Sequence, residues 1–363
     1  MSDDSGKFIG RQRELDQFRD SLNRLTRLGR LRAWVGGRSG DPPRVFLPHG
    51  IGGIGKTKLT QQCLGLAHDQ GWKTIELKWD MVNLRPNEPL DLMNAIAEDL
   101  RDQYGDRMMV DDYLEARRQA RAASQKVDRV KAENQQKWQE FVAEAEEATR
   151  DWVGGSKGKA AGLLVRAGGT VVGAGAASLA RAEEAFCKWA IGQGQLDHDD
   201  MLLYQRGDQR LADRLVKALV KAARKQALVV GFDTCEALPV ELEEWLRDAI
   251  VCPAVREPAP LLFIVAGRID QFSERRQETA EGKQITVKGY ADHLTNPPPA
   301  AWDMTRLAEP EVRDYLAAHG LPADAELLEL AQTISRGIPY ALWVFADTVR
   351  RRGRETARAL FPL

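Results

Sequence analysis

The chain has 363 residues, 43% of them hydrophobic, so it can bury at least one sizeable core, and ordinary domain lengths predict two or three units. Its 52 lysines and arginines nearly balance 53 aspartates and glutamates, and the formal net charge is only -1. This balance does not attract the whole chain to nucleic acid or to an acidic membrane surface, so nucleic acid is not the expected partner.

The four cysteines are scattered, without the paired spacing of a zinc site or the density of a disulfide scaffold. Small buried side chains are predicted at all of them, namely Cys63, Cys187, Cys235 and Cys252. The polar residues 1–7 lack the apolar segment of a secretory signal, so a reducing, cytoplasmic location is expected.

Alternating strands and helices are predicted along much of the chain. In chain order they are a helix within residues 8–33, a turn at 36–43, a strand over 44–48, a helix over 58–68, a strand over 73–79, a helix over 90–100, and strands over 227–232 and 261–266. This alternation predicts an α/β fold in which helices flank a parallel sheet.

Residues 106–200 are predicted to be an insertion, because the chain between the two halves of the sheet is longer than a strand and a few helices need. The first part, 111–152, is charged and has a partial helical rhythm, which predicts a helical hairpin or a short coiled coil. The second part, 154–182, changes abruptly to Gly, Ala, Val and Leu.

The stretch 159–181 has three interpretations. It is long enough to cross a bilayer as a helix, but Arg166 interrupts it, and Gly and Ala provide a weak driving force. A soluble pair of closely packed helices is favoured, with a membrane-active segment and a disordered linker as the alternatives. Since no separate effector precedes Phe8, this stretch is also a candidate output element.

Beyond Asp303 the apolar spacing is helical again, and residues 337–339, Gly-Ile-Pro, are expected to begin a further helix. The predicted domains are a sheet domain of residues 1–105 and 201–300, the helical insertion 106–200, and a small helical lid, 301–363. The segment 350–363 is either a solvated tail or the boundary before another domain.

Residues 50–57 match the Walker A pattern, between a predicted strand and a predicted helix. Glycines allow backbone N–H groups to converge on phosphates, and the helix N-terminus adds a favourable field. The Lys56 ammonium is expected to contact the β- and γ-phosphates, and the Thr57 hydroxyl to bind Mg2+. The predicted nucleotide contacts of this loop are Gly50, Gly52, Gly53, Ile54, Gly55, Lys56, Thr57 and Lys58. The alternative is a tight glycine turn with an incidental lysine.

A phosphate loop also needs an acidic residue at a neighbouring strand end to hold the metal, and Asp233 follows the strand 227–232. Glu236 is a candidate for polarising the attacking water if the turn after Asp233 brings it back. The strand 261–266 leads to Arg268, whose guanidinium can report on the γ-phosphate from the same sheet edge. The alternatives are a turn cap for Asp233, a solvated Glu236 and a surface salt bridge for Arg268.

The order of these motifs resembles the signal-transducing STAND class of P-loop NTPases, the relatives of NB-ARC and NACHT modules. The resemblance covers nearly the whole chain apart from the insertion, and it rests on residues 8–11, 14–15, 50–57, 232–236, 267–268 and 337–342. It implies that Ile9, Gly10 and Arg11 lie near the adenine. It also implies that Arg268 is the first sensor and that Pro339 in the lid packs on the base.

Proteins of this class resemble slow switches, in which ADP holds a closed form and ATP opens and oligomerises it, often for immune defence or transcriptional control. The implied cofactors are therefore ATP or ADP and Mg2+. The implied partners are further copies of the chain or a protein that supplies a sensor or effector.

The chain departs from the class in two places. Thr234 stands where many relatives have a second carboxylate, which implies slow or absent hydrolysis. The chain ends soon after the proline helix, so the winged-helix domain of such proteins is expected from a partner or from a longer form of the protein.

Three functional classes are open on the residues alone. They are a nucleotide-controlled signalling switch, a conventional ATPase motor or remodeller, and a scaffold that uses bound nucleotide only for stability. Slow turnover with a nucleotide-dependent change of assembly marks the switch, whereas brisk turnover that depends on Glu236 marks the motor.

Overall fold

The computed structural model describes residues 9–26, 40–78, 88–105, 110–154, 165–167, 170–172, 174–278 and 284–360. Contacts between residues divide the chain into two compact units. The first, the sheet unit, comprises Met1–Arg85, Gln226–Ala237 and Ala259–Leu363, and the second, the helical unit, comprises Pro86–Lys225 and Leu238–Pro258. The boundaries of sheet domain, insertion and lid expected from the sequence remain predictions.

The strands, in chain order, are β1 (Val45–His49), β2 (Lys73–Lys78), β3 (Val165–Ala167), β4 (Thr170–Val172), β5 (Leu228–Asp233), β6 (Leu261–Val265), β7 (Arg275–Glu278), β8 (Gln284–Val287) and β9 (Ala300–Asp303). The helices are α1 (Gln12–Leu25), α2 (Lys56–Asp69), α3 (Pro89–Tyr104), α4 (Asp111–Glu133), α5 (Gln135–Gly154), α6 (Ala174–Gly192), α7 (His198–Gln205), α8 (Gly207–Lys225), α9 (Val240–Trp245), α10 (Cys252–Arg256), α11 (Glu309–Ala318), α12 (Ala325–Ser335), α13 (Pro339–Arg352) and α14 (Arg354–Leu360). Turns of 3-10 helix lie at Cys235–Ala237 and Tyr290–Asp292, and a π-helical segment, Leu246–Val251, precedes α10.

The sheet unit contains a five-stranded sheet in the order β2-β5-β6-β1-β9, and every neighbouring pair is parallel. The fold class predicted from the sequence, a parallel α/β sheet flanked by helices, is therefore confirmed. The four predicted strands are β1, β2, β5 and β6, and the predicted helices at 58–68 and 90–100 are α2 and α3. Of the other predicted positions, residues 8, 27–33, 36–39 and 79 lie outside the described residues.

Strand β9 was not predicted, because it has only four residues and directly follows the prolines at 297–299. It forms by pairing in parallel with β1, from Phe46 to His49. Ala300 and Trp302 are buried on one face, while the alternate residues of β9 are exposed. This alternation is the pattern of a half-buried edge strand.

Phe46, a residue of β1, is fully buried in the core of the sheet unit. Its ring centroid is 5.1 Å from that of Phe18 on α1 and 4.8 Å from that of Trp302 on β9. The Trp302 indole N–H also donates to the Gln17 side chain, at 2.8 Å. These contacts anchor the N-terminal helix and the edge strand to the strand that precedes the glycine loop.

Helices α11 to α14 bury an apolar group of their own, which includes Val312, Leu316, Leu327, Leu342 and Phe345. The helix predicted to begin at residues 337–339 is α13, and its first residue is Pro339. A proline fits this position because the first turn of a helix needs no hydrogen bond from its nitrogen.

The helical unit does not contain the hairpin predicted within residues 111–152. Only Asn134 separates α4 from α5, whereas reversing the chain between two helices takes roughly two to five residues. Helix α5 instead packs against α6, and α4 packs against α7 and α8. The core of this arrangement is Phe186, whose ring lies 5.6 Å from the Trp138 ring and 5.5 Å from the Trp189 ring.

The stretch 159–181 is not a pair of helices where it is described. Residues 165–167 and 170–172 are the antiparallel strands β3 and β4, and α6 begins at residue 174. Residues 159–164, 168–169 and 173 lie outside the described residues. The β-branched residues of this segment favour an extended backbone, and its glycines disfavour a helix.

Within the described part of the chain, the helices are all too short or too polar to span a bilayer. The prediction for the cysteines is confirmed, because all four are free thiols and all four are buried.

Replacing Phe46 by alanine removes the ring that contacts both Phe18 and Trp302. We expect the free energy of unfolding of the sheet unit to fall by about 3–5 kcal/mol, since buried apolar area is lost and a cavity is left. Urea unfolding followed by tryptophan fluorescence measures the change. Phe46→Leu is the control and should lose clearly less; equal losses for the two variants would contradict this packing.

Candidate functional site

The Walker A residues occupy the connection between β1 and α2. Strand β1 ends at His49 and α2 begins at Lys56, so residues 50–55 form the loop. This is the strand, loop and helix context that the motif requires, and the structure confirms it. The first turn of α2 adds backbone N–H groups without intrahelical partners, which suit an anion.

A side chain would not fit easily at two glycines of this loop, because of close contacts or a positive φ. Gly50 has a φ of 143°, and a Cβ atom there would lie 2.8 Å from the carbonyl oxygen of Met304. Gly55 has a φ of 101° and caps α2. The loop therefore presents bare backbone, the surface that phosphate oxygens need. Ile54 is buried in the core of the sheet unit, so only its backbone is available to a ligand.

The Lys56 side chain folds back over the loop. Its ammonium donates hydrogen bonds to the carbonyl oxygens of Gly50, at 2.8 Å, and Ile51, at 3.1 Å. Burial lowers the pKa of Lys56, while the nearby carboxylates of Glu236 and Asp233 act in the opposite direction. A cation held in this partly dehydrated position gains from a neighbouring anion.

Thr57 and Asp233 meet at the sheet edge although they come from distant parts of the sequence. Asp233 ends β5, and β6 lies between β5 and β1, so the loop and the carboxylate flank the end of β6. Burial raises the pKa of the Asp233 carboxyl, and hydrogen bonds from the Thr57 hydroxyl and the Thr234 N–H oppose the rise. A hydroxyl and a carboxylate in contact are hard oxygen ligands of the kind Mg2+ takes beside phosphates.

Glu236 returns to the site through a tight turn. Thr234 has a φ of 64°, which is unusual for a β-branched residue, and the 3-10 turn Cys235–Ala237 follows it. The Glu236 Oε1 atom accepts a hydrogen bond from Arg268 Nε at 3.0 Å. Its Oε2 atom is buried and has no hydrogen-bond partner among the described residues. The carboxylate is therefore partly enclosed and not the solvated side chain of the alternative interpretation.

Arg268 links Glu236 to the glycine loop. It follows β6 at the edge where the loop and Asp233 lie, and its Nη2 atom is 3.7 Å from the point a Gly52 Cβ atom would occupy. Arg268 does form a salt bridge, which was the alternative to a sensor role. The partner in this salt bridge is Glu236, which is itself a candidate catalytic residue. Since the Arg268 side chain is 64% exposed, the pair contributes little to stability.

The lid touches the other side of the loop. Tyr340 donates its backbone N–H to the Gly53 carbonyl oxygen at 3.1 Å. The Pro339 ring lies 3.9 Å from the point a Gly55 Cβ atom would occupy. The N-terminus of α13 therefore rests directly on residues 53–55. Lys58, in the first turn of α2, is exposed.

Gly10 and Arg11 lie against the connection between β9 and α11 and against the first turn of α11. A Cβ atom on Gly10 would lie 2.7 Å from Glu311 Oε1, and the Arg11 guanidinium donates to the Thr305 carbonyl oxygen. Ile9 itself is half-buried, and Phe8 lies outside the described residues. The same connection reaches the glycine loop at its other end, through the close approach of Met304 to Gly50.

The structure adds two residues to the site that the motifs did not single out. Tyr340 follows Pro339 directly and belongs to a motif already noted, so its position was within reach. Gln271 lies in the loop after β6, and only 4% of it is exposed. No sequence pattern marks it, because the fold alone brings its side chain back beside Gly267.

No protein-family profile and no curated protein matches this chain. Among solved structures, Orc1 of Aeropyrum pernix in complex with DNA is similar at 14% identity and a TM-score of 0.39, over 98% of this chain and 66%, just under two thirds, of that one. A Walker-type ATPase of Pyrococcus abyssi is similar at 12% identity and a TM-score of 0.38, over 97% and 73% of the two chains. Cdc6p of Pyrobaculum aerophilum is similar at 11% identity and a TM-score of 0.40, over 99% and 71%. Likenesses this distant do not assign an activity.

Asp233→Asn is expected to stabilise the nucleotide-free protein at neutral pH. Burial raises the pKa of Asp233, so its charged form destabilises the folded state above that pKa. As the pH falls through the raised pKa and then below the unfolded value, wild-type Asp233 becomes protonated and the advantage of asparagine disappears. Urea unfolding from pH 7.5 down to about pH 3.5, below the ordinary carboxyl pKa, measures the difference. A gain that did not shrink on acidification would contradict the assigned cause.

Proposed function

We propose that the sheet unit binds ATP and ADP with Mg2+ at residues 50–57 and acts as a slow, nucleotide-controlled switch of the STAND class. One observation carries the proposal: the bare loop backbone, the Lys56 ammonium and the Thr57–Asp233 pair meet at one edge of a parallel sheet. The loop supplies backbone N–H donors, Lys56 supplies a cation, and Thr57 with Asp233 supplies hard oxygen ligands. A triphosphate with its metal needs all three.

Nucleotide binding exchanges the internal contacts of the loop for phosphate contacts. Lys56 gives up the carbonyl oxygens of Gly50 and Ile51 and turns its ammonium to the β- and γ-phosphates. The Thr57 hydroxyl and the Asp233 carboxylate hold Mg2+, which neutralises charge on the phosphate oxygens when bound. Because burial already lowers the pKa of Lys56 and raises that of Asp233, both residues gain from the charges that this exchange brings.

Hydrolysis is slow in this proposal because its general base is engaged elsewhere. Glu236 has to accept a proton from water, yet one of its oxygens is bound to Arg268. Arg268 serves as the sensor, since its guanidinium can keep the Nε bond to Glu236 while another of its N–H groups donates to the γ-phosphate. Thr234, next to Asp233, adds no second carboxylate.

The lid contact couples the nucleotide to the rest of the unit. The Gly53 carbonyl accepts from Tyr340 at the start of α13, and Pro339 lies over Gly55, so a change in the loop backbone is transmitted to the lid. Ile9, Gly10, Arg11 and Pro339 form the adenine end of the site in this proposal. The stretch 159–181 is the output element in this proposal, and it acts on further copies or on a partner protein in the cytoplasm.

Lys56→Ala should raise the Kd for Mg-ATP at least about a hundredfold, because a charge-assisted contact to two phosphates is lost. Isothermal titration calorimetry measures the Kd directly. Lys73→Ala, in β2 of the same unit and away from the loop, is the matched control and should bind as the wild type does. Normal ATP binding by Lys56→Ala would show that the site assignment is wrong.

Light scattering of the purified protein with ADP, ATP and a non-hydrolysable analogue tests the switch. A defined larger particle with ATP or the analogue, but not with ADP, is the expected result. An unchanged size with bound nucleotide would favour the scaffold. Brisk turnover without a size change would favour the remodeller.

A further inference from the structure

The side chain of Gln271 is buried beside Gly267, one residue before Arg268, and its amide oxygen has no hydrogen-bond partner among the described residues. The residue is only 4% exposed, and its Oε1 atom is buried and unpartnered among the described residues. The backbone has a separate role, since the Gln271 carbonyl oxygen accepts from Tyr290 N–H at 2.9 Å. The loop geometry therefore does not explain why a polar side chain is buried here.

Gln271 and Glu236 flank the same small region. From the point that a Gly267 Cβ atom would occupy, the Gln271 Nε2 atom is 3.3 Å away and the backbone nitrogen of Glu236 is 3.9 Å away. The next residue, Arg268, binds Glu236 Oε1. The second carboxylate oxygen of Glu236 is buried and unpartnered, as is the amide oxygen of Gln271.

Two buried acceptors without donors are costly, each by about 1–3 kcal/mol, and native proteins normally satisfy them. A water molecule has two hydrogens to donate, and buried waters characteristically bridge groups that lack other partners. A carboxylate and an amide carbonyl that accept both hydrogens of one water leave its oxygen lone pair free to act as a nucleophile.

We propose that Gln271 is a second catalytic residue, which orients the attacking water together with Glu236. This inference rests on the proposed ATPase function. In the step, the water oxygen forms a bond to the γ-phosphorus while the bond to the β,γ-bridging oxygen breaks and its electron pair stays on ADP. One water proton passes to Glu236 Oε2 and is later released to solvent, and the other stays on the inorganic phosphate. Gln271 holds that second proton in place and exchanges none.

Gln271→Met tests the proposal, because methionine keeps the length of the side chain and removes its polar atoms. We expect kcat for ATP to fall about tenfold or more while the Kd for Mg-ATP changes less than twofold. Gln62→Met, an exposed glutamine on α2, is the matched control and should retain wild-type kcat. Glu236→Gln provides the reference for complete loss of the base.

Gln271→Glu adds a readout that a merely structural role would not change. A second carboxylate beside Glu236 raises the pKa of the base, so the acidic limb of the kcat profile should move to higher pH. Thermal unfolding of both variants checks that they fold. Unchanged kcat in Gln271→Met, or an unshifted profile in Gln271→Glu, overturns the role of Gln271 while Mg-ATP binding stands. Failure of the wild type to bind Mg-ATP overturns the nucleotide site, and failure to hydrolyse bound ATP overturns both the proposed slow hydrolysis and this inference.

Discussion

The parallel pairing of β1, β6 and β5 is the constraint on which the site depends. Parallel strands end at the same edge of the sheet. This brings together three features that are far apart in the sequence, namely the glycine loop after β1, Arg268 after β6 and Asp233 at the end of β5. After β1 the chain crosses to the edge strand β2, and the later strands β5 and β6 fill the space back to β1. The last strand of the sheet, β9, then pairs with β1 on its other side. Such a reversal point opens a crevice at the carboxyl ends of the strands.

Charge and burial then decide what this edge can bind. Lys56 and Asp233 are both almost inaccessible, and burial shifts each pKa towards the neutral form. The burial of these two charged groups destabilises the fold, whereas a polyphosphate with a divalent cation adds counter-charge beside each of them. The site therefore favours a charged ligand but lowers the stability of the fold, which is a common property of functional centres.

Sequence reasoning reached the parts of the molecule that local patterns encode. Periodicity located β1, β2, β5 and β6, and the glycine and lysine spacing located the phosphate loop. The ends of β5 and β6 then located Asp233 and Arg268. Sequence reasoning did not reach β9, which exists through its pairing with the distant β1, or the buried position of Gln271, whose side chain folds back beside Gly267. Of the hairpin or short coiled coil expected within residues 111–152, the hairpin was wrong, because helical rhythm identifies a helix but not its packing partner, which for α5 is α6.

A crystal structure with Mg2+ and a non-hydrolysable ATP analogue would show whether the triphosphate binds at residues 50–57. We expect Lys56 to leave the carbonyl oxygens of Gly50 and Ile51 for the phosphates, and we expect Thr57 and Asp233 to hold the metal. A nucleotide bound elsewhere, with the Lys56 ammonium still on those carbonyls, would contradict it.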